Sequence, residues 1–351
     1  MSYVVIDSTK LRKDIATLFE AAGLNKTGAD DIADALVEAD EEGVFSHGTM
    51  LVPMYVERLQ KGSLSKGSKG KVVQDNGAIA VIDAENVFGQ LTSQQAVELC
   101  VSKAKTFGLG AIAVRNGFHL GRAGRWAGQM ADKGCVGIVM SNTRPLMPPP
   151  GGAERMIGNN PLAIAMPGSE PKVVLDMAMS ASAMGKIRMA EKLGNNIPDG
   201  WAADSEGRPT TDPSEAIKGM LLAAAGPKGF GLAFMIDLLC GALSSGGVAS
   251  EVRPLFADLD KPYNCAHFFL AINVSHFRDE DAFKGVIDSL SSDIRNSKPA
   301  PGTERIMTPG EPDWSTKQNN AGQVQVAESI LEQLKQTASG LGLSTLFNRK
   351  S

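Results

Sequence analysis

Aromatic side chains are scarce in this 351-residue chain, at 5% of positions, and its four cysteines are not arranged as crosslinks or metal ligands. With few rings to fill space, and with 38 glycines and 15 methionines, aliphatic cores and many tight turns are expected. Cys100, Cys135, Cys240 and Cys265 lie far apart in apolar surroundings and form no C-x-x-C pair. That excludes a zinc ribbon or redox dithiol and fits buried free thiols in a reducing cytoplasm. Basic residues are not in excess, the formal net charge being −4, so the footprint of a nucleic-acid partner is missing. No apolar run reaches the ~18 residues of a membrane span. The opening stretch, MSYVVIDSTKLRKD, lacks the apolar core of a secretory leader, and a cytoplasmic protein is expected.

Familiar fingerprints are missing too. G-x-G-x-x-G is absent, since Gly108-Leu109-Gly110 and Gly229-Phe230-Gly231 both lack the third glycine, which argues against a doubly wound dinucleotide fold. There is no Walker loop, no His-Glu-x-x-His, no Gly-x-Ser-x-Gly, and no His/Asp/Glu spacing that supports a metal site.

The length allows two domains, or one large domain with an inserted lobe, and the 43% hydrophobic and 21% charged composition is that of an ordinary globular chain. Val4-Val5-Ile6 reads as a strand, with a helix from Ser8 to Gly23 and another opened by Thr27. That second helix sets Ile32, Ala35, Leu36 and Ala39 on one face and Asp30, Asp31, Asp34 and Glu38 on the other. A third helix carries Leu51, Tyr55 and Leu59, with Pro53 tolerable only in its first turn. Residues 62–70 are a flexible connector by composition. Beyond it, Asp75-Asn76-Gly77 between two strand-like runs is a hairpin signal. Thr92 is expected to cap a helix reaching Phe107, followed by a strand at 111–114, a helix at 123–133 and a strand at 136–140.

Residues 141–161, with five prolines and three glycines, read as a functional loop. Strands at 162–166 and 173–177 and a helix at 182–193 follow, then a second turn-rich loop at 195–213. The stretch 229–242 is apolar nearly all round and is expected to be a buried helix. A strand at 268–274 precedes amphipathic helices at 279–294 and 323–336, separated by a loop at 297–311. No internal repeat is found. The hairpin signals point to a mixed α/β fold.

Chemistry concentrates in a few places. Ser46-His47-Gly48, just ahead of a helix, sets an imidazole beside a hydroxyl, and imidazole is the side chain best suited to exchange a proton at neutral pH. The same residues also read as a helix cap followed by a surface histidine. Residues 116–124, Asn-Gly-Phe-His-Leu-Gly-Arg-Ala-Gly, offer helix-start amides and Arg122 to a phosphate, or make a plain strand-to-helix turn. Asp176 at a strand end could accept from a ribose or an amide. Lys228 opposes the dipole of the helix it begins, which an anionic ligand would explain and a solvated lysine would not need. His267, at a strand start, reads as a packed histidine.

These pieces together resemble the malate/L-lactate dehydrogenase-like family, the non-Rossmann type 2 oxidoreductases. The matching residues are Ser46-His47-Gly48 with Pro53-Met54-Tyr55, His119-Leu120-Gly121 with Ala123-Gly124, and Ser141-Asn142-Thr143. Further along come Gly151-Gly152, residues 158–161, Asp176-Met177, Gly185-Lys186-Ile187, residues 197–201, Lys228-Gly229 and Pro301-Gly302. They run in order over nearly the whole chain. The resemblance implies a homodimeric NAD(P)-dependent reductase of 2-oxo acids, or dehydrogenase of 2-hydroxy acids. It implies a helical part built from residues 1–70 with 295–351, and a cofactor domain at 71–294 around a largely antiparallel sheet. By the same resemblance Ser46 and His47 transfer the proton and Asn159 faces the substrate. The cofactor would be lined by His119, Leu120, Gly121, Arg122 and Ala123; by Asp176, Met177, Ala178 and Met179; and by Pro227, Lys228, Gly302 and Arg305.

One departure stands out. Most of the family carries a carboxylate-binding arginine five residues after the serine, where this chain has Leu51. The subgroup resembling hydroxycarboxylate dehydrogenase B also lacks it and is the nearest in pattern. Arg144 or Arg122 is expected to supply the charge, and Leu51 to make an apolar pocket wall. Lys186 stands where the cyclic-imine reductase has an acid, which argues against imine chemistry.

Overall fold

The computed structural model describes residues 2–347. The strands are β1 (Tyr3–Asp7), β2 (Lys71–Asn76), β3 (Ile79–Asp83), β4 (Leu109–Gly117), β5 (Cys135–Ser141), β6 (Leu162–Ala165), β7 (Val174–Met177), β8 (Ala202–Ala203), β9 (Pro209–Thr210), β10 (Met220–Leu221), β11 (Cys265–Asn273) and β12 (Gln323–Ala327). The helices are α1 (Ser8–Ala21), α2 (Lys26–Glu41), α3 (Val52–Lys61), α4 (Gly89–Phe107), α5 (Ala123–Ala131), α6 (Met184–Leu193), α7 (Pro213–Lys218), α8 (Pro227–Asp237), α9 (Glu280–Arg295), α10 (Glu311–Asn320) and α11 (Glu328–Gly340).

A seven-stranded sheet in the order β2-β3-β4-β11-β5-β6-β7 forms the centre. β3 and β4 run parallel, and the other neighbours run antiparallel. The expected mixed, largely antiparallel sheet is therefore present. Asn76-Gly77 makes the β2–β3 hairpin, with Gly77 at φ +65°, the left-handed backbone that favours glycine.

This alternation decides where the loops go. β4, β5 and β7 end at the same sheet edge at which β11 and β6 begin. The segments 118–122, 142–161 and 178–183 therefore converge there, although they are far apart in sequence.

The two chain ends share one hydrophobic core. Leu11, Ile15 and Phe19 of α1, Ile32 and Leu36 of α2, and Leu331 and Leu334 of α11 pack together with Leu51 and Tyr55. β1 pairs antiparallel with β12, closing the chain on itself. Here the sequence reading needs correction, because residues 323–327 form a strand and only 328–340 a helix. Val324 and Val326 point inward at a spacing of two, a strand signature that the longer helical pattern masked.

Other boundaries shift for local reasons. Asn25, not Thr27, caps α2 by accepting from Gly28 N. Thr92 sits inside α4, which starts at Gly89. The 227–242 helix is not buried all round. Ala233, Ile236 and Cys240 are covered, while Leu232, Phe234, Met235 and Leu238 lie 37–51% exposed.

Candidate active site

α2 delivers the chain into a tight 3-10 turn, Phe45–His47, and a second such turn, Thr49–Leu51, leads into α3. Ser46 Oγ lies 3.0 Å from His47 Nδ1. The His47 ring stacks on that of His119 at 5.3 Å between centroids and 26° between planes. His119 comes from the loop after β4, so the two imidazoles reach each other from different parts of the fold. Loss of solvation lowers the His47 pKa, and the negative charge of Asp176 opposes the drop. His119 is held well below the usual imidazole value by burial and by the nearby His47 and His267. His119 is thus neutral, and His47 is the ring that a carboxylate helps to charge.

His119 is fixed from behind. Tyr55 Oη lies 2.8 Å from His119 Nδ1, and Gln90 Nε2 donates to Tyr55 Oη at 3.3 Å. With Gln90 donating to it, the tyrosine hydroxyl is free to donate to Nδ1, the arrangement that puts the imidazole proton on Nε2. Gly89 is glycine because a Cβ there would fall 2.2 Å from Phe118 O and 2.3 Å from His119 O. Buried His267 steadies the same segment, with Nε2 3.1 Å from Phe118 O and Nδ1 2.9 Å from Ser141 Oγ. Burial holds its pKa down at about 4, so it is the packed histidine expected of it.

In the 142–161 loop, Thr143 Oγ1 donates to Asn159 Oδ1 at 2.9 Å, which leaves the Asn159 amide hydrogens without an acceptor among the described residues. Buried Asn160 accepts from Thr143 N and donates to Ala233 O, fixing the loop to α8. Arg144, next in the chain, is half-buried and its guanidinium has no carboxylate or hydrogen-bond partner among the described residues. Desolvation lowers its pKa, with Tyr263 opposing and Arg188 adding to the drop.

Arg122 is differently placed. It pairs with Glu42, with Asp313 at 2.7 Å and with Asp176 at 3.6 Å, and its side chain is 11% exposed. It is thus saturated by acids and is not a free anchor for a substrate carboxylate. Leu51 is also not a pocket wall, being 1% exposed within the helical core. Asp176 Oδ2 accepts from Gly124 N at 2.9 Å, so it caps the start of α5. Arg305 pairs with buried Glu311. Burial pushes that carboxylate's pKa up, and its bonds from Arg295 and Thr308 outweigh this, leaving it at about 2.

Further along the edge, the segments that lead into two helices are joined by a bridge. Ser180 pairs antiparallel with Ala223, with Ala181 N donating to Leu222 O at 2.8 Å and Ala224 N to Met179 O at 2.9 Å, so the segments entering α6 and α8 meet there and then run on in opposite directions. Neither helix has a side-chain cap, so the orphan amides of both starts are free for an anion. Gly226 sits at φ +60°, ψ −125° before Pro227 and exposed Lys228. Ser182 Oγ, just ahead of α6, is buried with no hydrogen-bond partner among the described residues. Met177 is exposed, Ala178 partly so, and Met179 is buried in the core with its backbone bonded to Asn159 O and Ala224 N. The uncapped start of α8, with Lys228 beside it, fits a phosphate group of a cofactor.

A family model described as malate/L-lactate dehydrogenase matches residues 6–335. The chain belongs to this family. The L-sulfolactate dehydrogenase of Methanocaldococcus jannaschii is 37% identical over 333 residues, covering 95% of this chain and 96% of that protein. A solved structure of sulfolactate dehydrogenase from that organism overlays with a TM-score of 0.92 at 36% identity, covering 97% of this chain and 98% of the other. The ureidoglycolate dehydrogenase (NAD(+)) of Escherichia coli (strain K12) is 33% identical, over 89% of this chain and 90% of that one. The (2R)-3-sulfolactate dehydrogenase (NADP(+)) of Chromohalobacter salexigens is 30% identical, over 90% and 92%. The protein is accordingly a dehydrogenase-type oxidoreductase of the malate/L-lactate family.

Sequence reasoning singled out Ser46, His47 and His119, and the structure brings them together. It passed over the roles of Tyr55, Gln90, Thr143 and Ser182. Tyr55 carried a signal, since it is a hydroxyl-bearing ring on the apolar face of the helix that follows His47. Gln90, Thr143 and Ser182 carried none, because their roles depend on the fold.

Proposed function

We propose that the protein interconverts 2-oxo acids and 2-hydroxy acids with NAD(P)H or NAD(P)+, His47 handling the proton. The stacked His47–His119 pair, one ring tuned by Asp176 and the other locked by Tyr55, carries this reading. The bound nicotinamide would supply or accept the hydride at the substrate's C2. In reduction, protonated His47 gives its proton to the developing alkoxide, and Ser46 orients the ring. In oxidation, neutral His47 takes the hydroxyl proton. His119 donates through Nε2 to the same oxygen, and Asn159 offers its amide hydrogens to the substrate. Arg144, an unpaired half-buried guanidinium, would bind the substrate carboxylate in place of the family arginine.

The cofactor phosphates would lie at the start of α8, held by its free amides and Lys228, with Pro227 and the 302–305 loop beside them. We place the reaction between the part built from both chain ends, of which residues 2–70 and 295–347 are described and the remainder of the expected 1–70 and 295–351 lies outside the described residues, and the part spanning 71–294. The exposed apolar side of α8 supports a homodimer, because a monomer seldom leaves so many large apolar residues together in water. A second reading keeps the chemistry and moves the proton to His119, which the Tyr55 hydrogen bond favours.

The test follows loss of nicotinamide absorbance with NADH and NADPH in parallel. The panel is pyruvate, phenylpyruvate, oxaloacetate, 2-oxoglutarate and sulfopyruvate, with piperideine-2-carboxylate and, in the oxidative direction, ureidoglycolate. Turnover of at least one oxo acid is expected, and Arg144→Ala is expected to raise its KM at least about tenfold, the scale of a lost charged hydrogen bond. Turnover of the imine alone, or an unchanged KM in the variant, would contradict the reading.

A further inference from the structure

Asp40 lies in the last turn of α2, and its carboxylate sits against the segment that follows His47. Oδ2 accepts from Thr49 N at 3.0 Å and from Thr49 Oγ1 at 2.6 Å. Oδ1 lies so close to Gly48 that a Cβ there would fall 1.7 Å from it. The two residues after His47 are thus seated on one carboxylate. Asp40 is 3% exposed. No cation pairs with it among the described residues, whereas Asp34, Glu38 and Glu41 of the same helix each pair with an arginine or a lysine. A buried acid without a cation costs stability. Burial, with a smaller contribution from neighbouring Glu41, raises its pKa to about 7 against the opposing bonds from Thr49. The packing of α2 alone would be served better by an apolar residue, so the acid calls for another explanation.

The turn itself supplies one. His47 N donates to Val44 O at 2.9 Å and Gly48 N to Phe45 O at 3.0 Å. These bonds define the 3-10 turn, but they leave its far end free to pivot. Thr49 is the first residue beyond His47 that is tied to another element by a side chain. Its attachment to Asp40 ties the far side of the turn to α2.

We propose that Asp40 is a positioning residue for the proton-transfer pair, holding Ser46 and His47 in register with His119 through Gly48 and Thr49. The inference rests on the function proposed above, and its test separates the two. The variants are Asp40→Ala, Asp40→Asn, Gly48→Ala and the milder Thr49→Val, all in the full-length protein. Three quantities are read: kcat beside the KM for the nicotinamide cofactor, hydrogen exchange of the Thr49 amide, and the NMR titration of the His47 ring.

Asp40→Ala and Gly48→Ala are expected to lower kcat about 10- to 100-fold, the scale of a misplaced catalytic group, with the cofactor KM within about twofold. In both, Thr49 amide protection should disappear and the His47 titration should move toward that of a free imidazole. Asp40→Asn keeps a carbonyl acceptor and should retain Thr49 protection and kcat within about threefold, with Thr49→Val intermediate. The inference is overturned if Asp40→Ala keeps wild-type kcat, or if Asp40→Asn is as damaged as Asp40→Ala. Should the wild type turn over nothing in the substrate panel, the functional reading fails by itself. Thr49 protection and the His47 titration then decide the role of Asp40, and unchanged values in Asp40→Ala would overturn it.

Discussion

Ionisation of Asp40 makes stability depend on pH in a direction that can be worked out. Its folded pKa of about 7 lies above the ~3.9 of an unfolded aspartate. The folded chain therefore binds the extra proton, and the associated stability is complete below the unfolded value and lost as pH rises through about 7. The wild type should lose stability relative to Asp40→Asn between pH 5 and pH 8, by an amount on the order of a few kcal/mol at most. Melting both proteins across that range checks it, and a constant difference would contradict the assignment. His267 acts in the other direction. With its folded pKa lowered to about 4, its contribution is present above the ordinary imidazole value and is lost as pH falls toward 4. A second residue-scale prediction concerns Tyr55. Tyr55→Phe keeps the ring in its packing against Phe88 and Phe118 and removes the proton that fixes His119. Turnover should fall about tenfold, equivalent to about 1.4 kcal/mol, while the melting temperature moves little.

Among the elements, β12 and α11 show why an end of the chain was misread. Glu328 to Gly340 has a helical pattern, and the alternating valines just before it fit inside the same window. A pairing with β1, more than three hundred residues away, decides the matter, and no local pattern reports it. The same distance hid the role of α2's acids. They read as a solvated face, yet Asp34 and Glu38 meet Arg12, Arg125 and Lys317 from three other elements. Asp40 was visible in principle, since it follows Ile32 and Leu36 at the four-residue spacing of the buried stripe. The docking of α11 gives the element-scale prediction. Leu334 is fully buried in the core shared by both chain ends, and Leu334→Ala should cost about 2–5 kcal/mol. Chemical denaturation measures it, and a loss below about 1 kcal/mol would mean that α11 contributes little to that core.

At the scale of the molecule, the mixed sheet, the hairpin and the order of most elements were legible in periodicity and turn residues. The convergence of three loops at one sheet edge was not, because it follows from β11 inserting between β4 and β5. The stretch 229–242 looked like a core element because its sequence is apolar nearly all round, and the structure exposes one side of it. The proposed homodimer surface would account for both facts. Met235→Asp, placed in that exposed side, should convert a dimer to a monomer in sedimentation, whereas a wild-type monomer would refute the dimer outright.

The most direct measurement of the central claim compares His47→Ala with His119→Ala across pH, using the best 2-oxo acid of the panel and following nicotinamide oxidation. If His47 carries the proton, its removal abolishes the limb of the kcat profile that falls as the ring deprotonates, and it lowers kcat about 100-fold or more. His119→Ala should then lower kcat and leave that limb in place. The opposite pattern, with the limb surviving in His47→Ala and lost in His119→Ala, would contradict the account and assign the proton to His119.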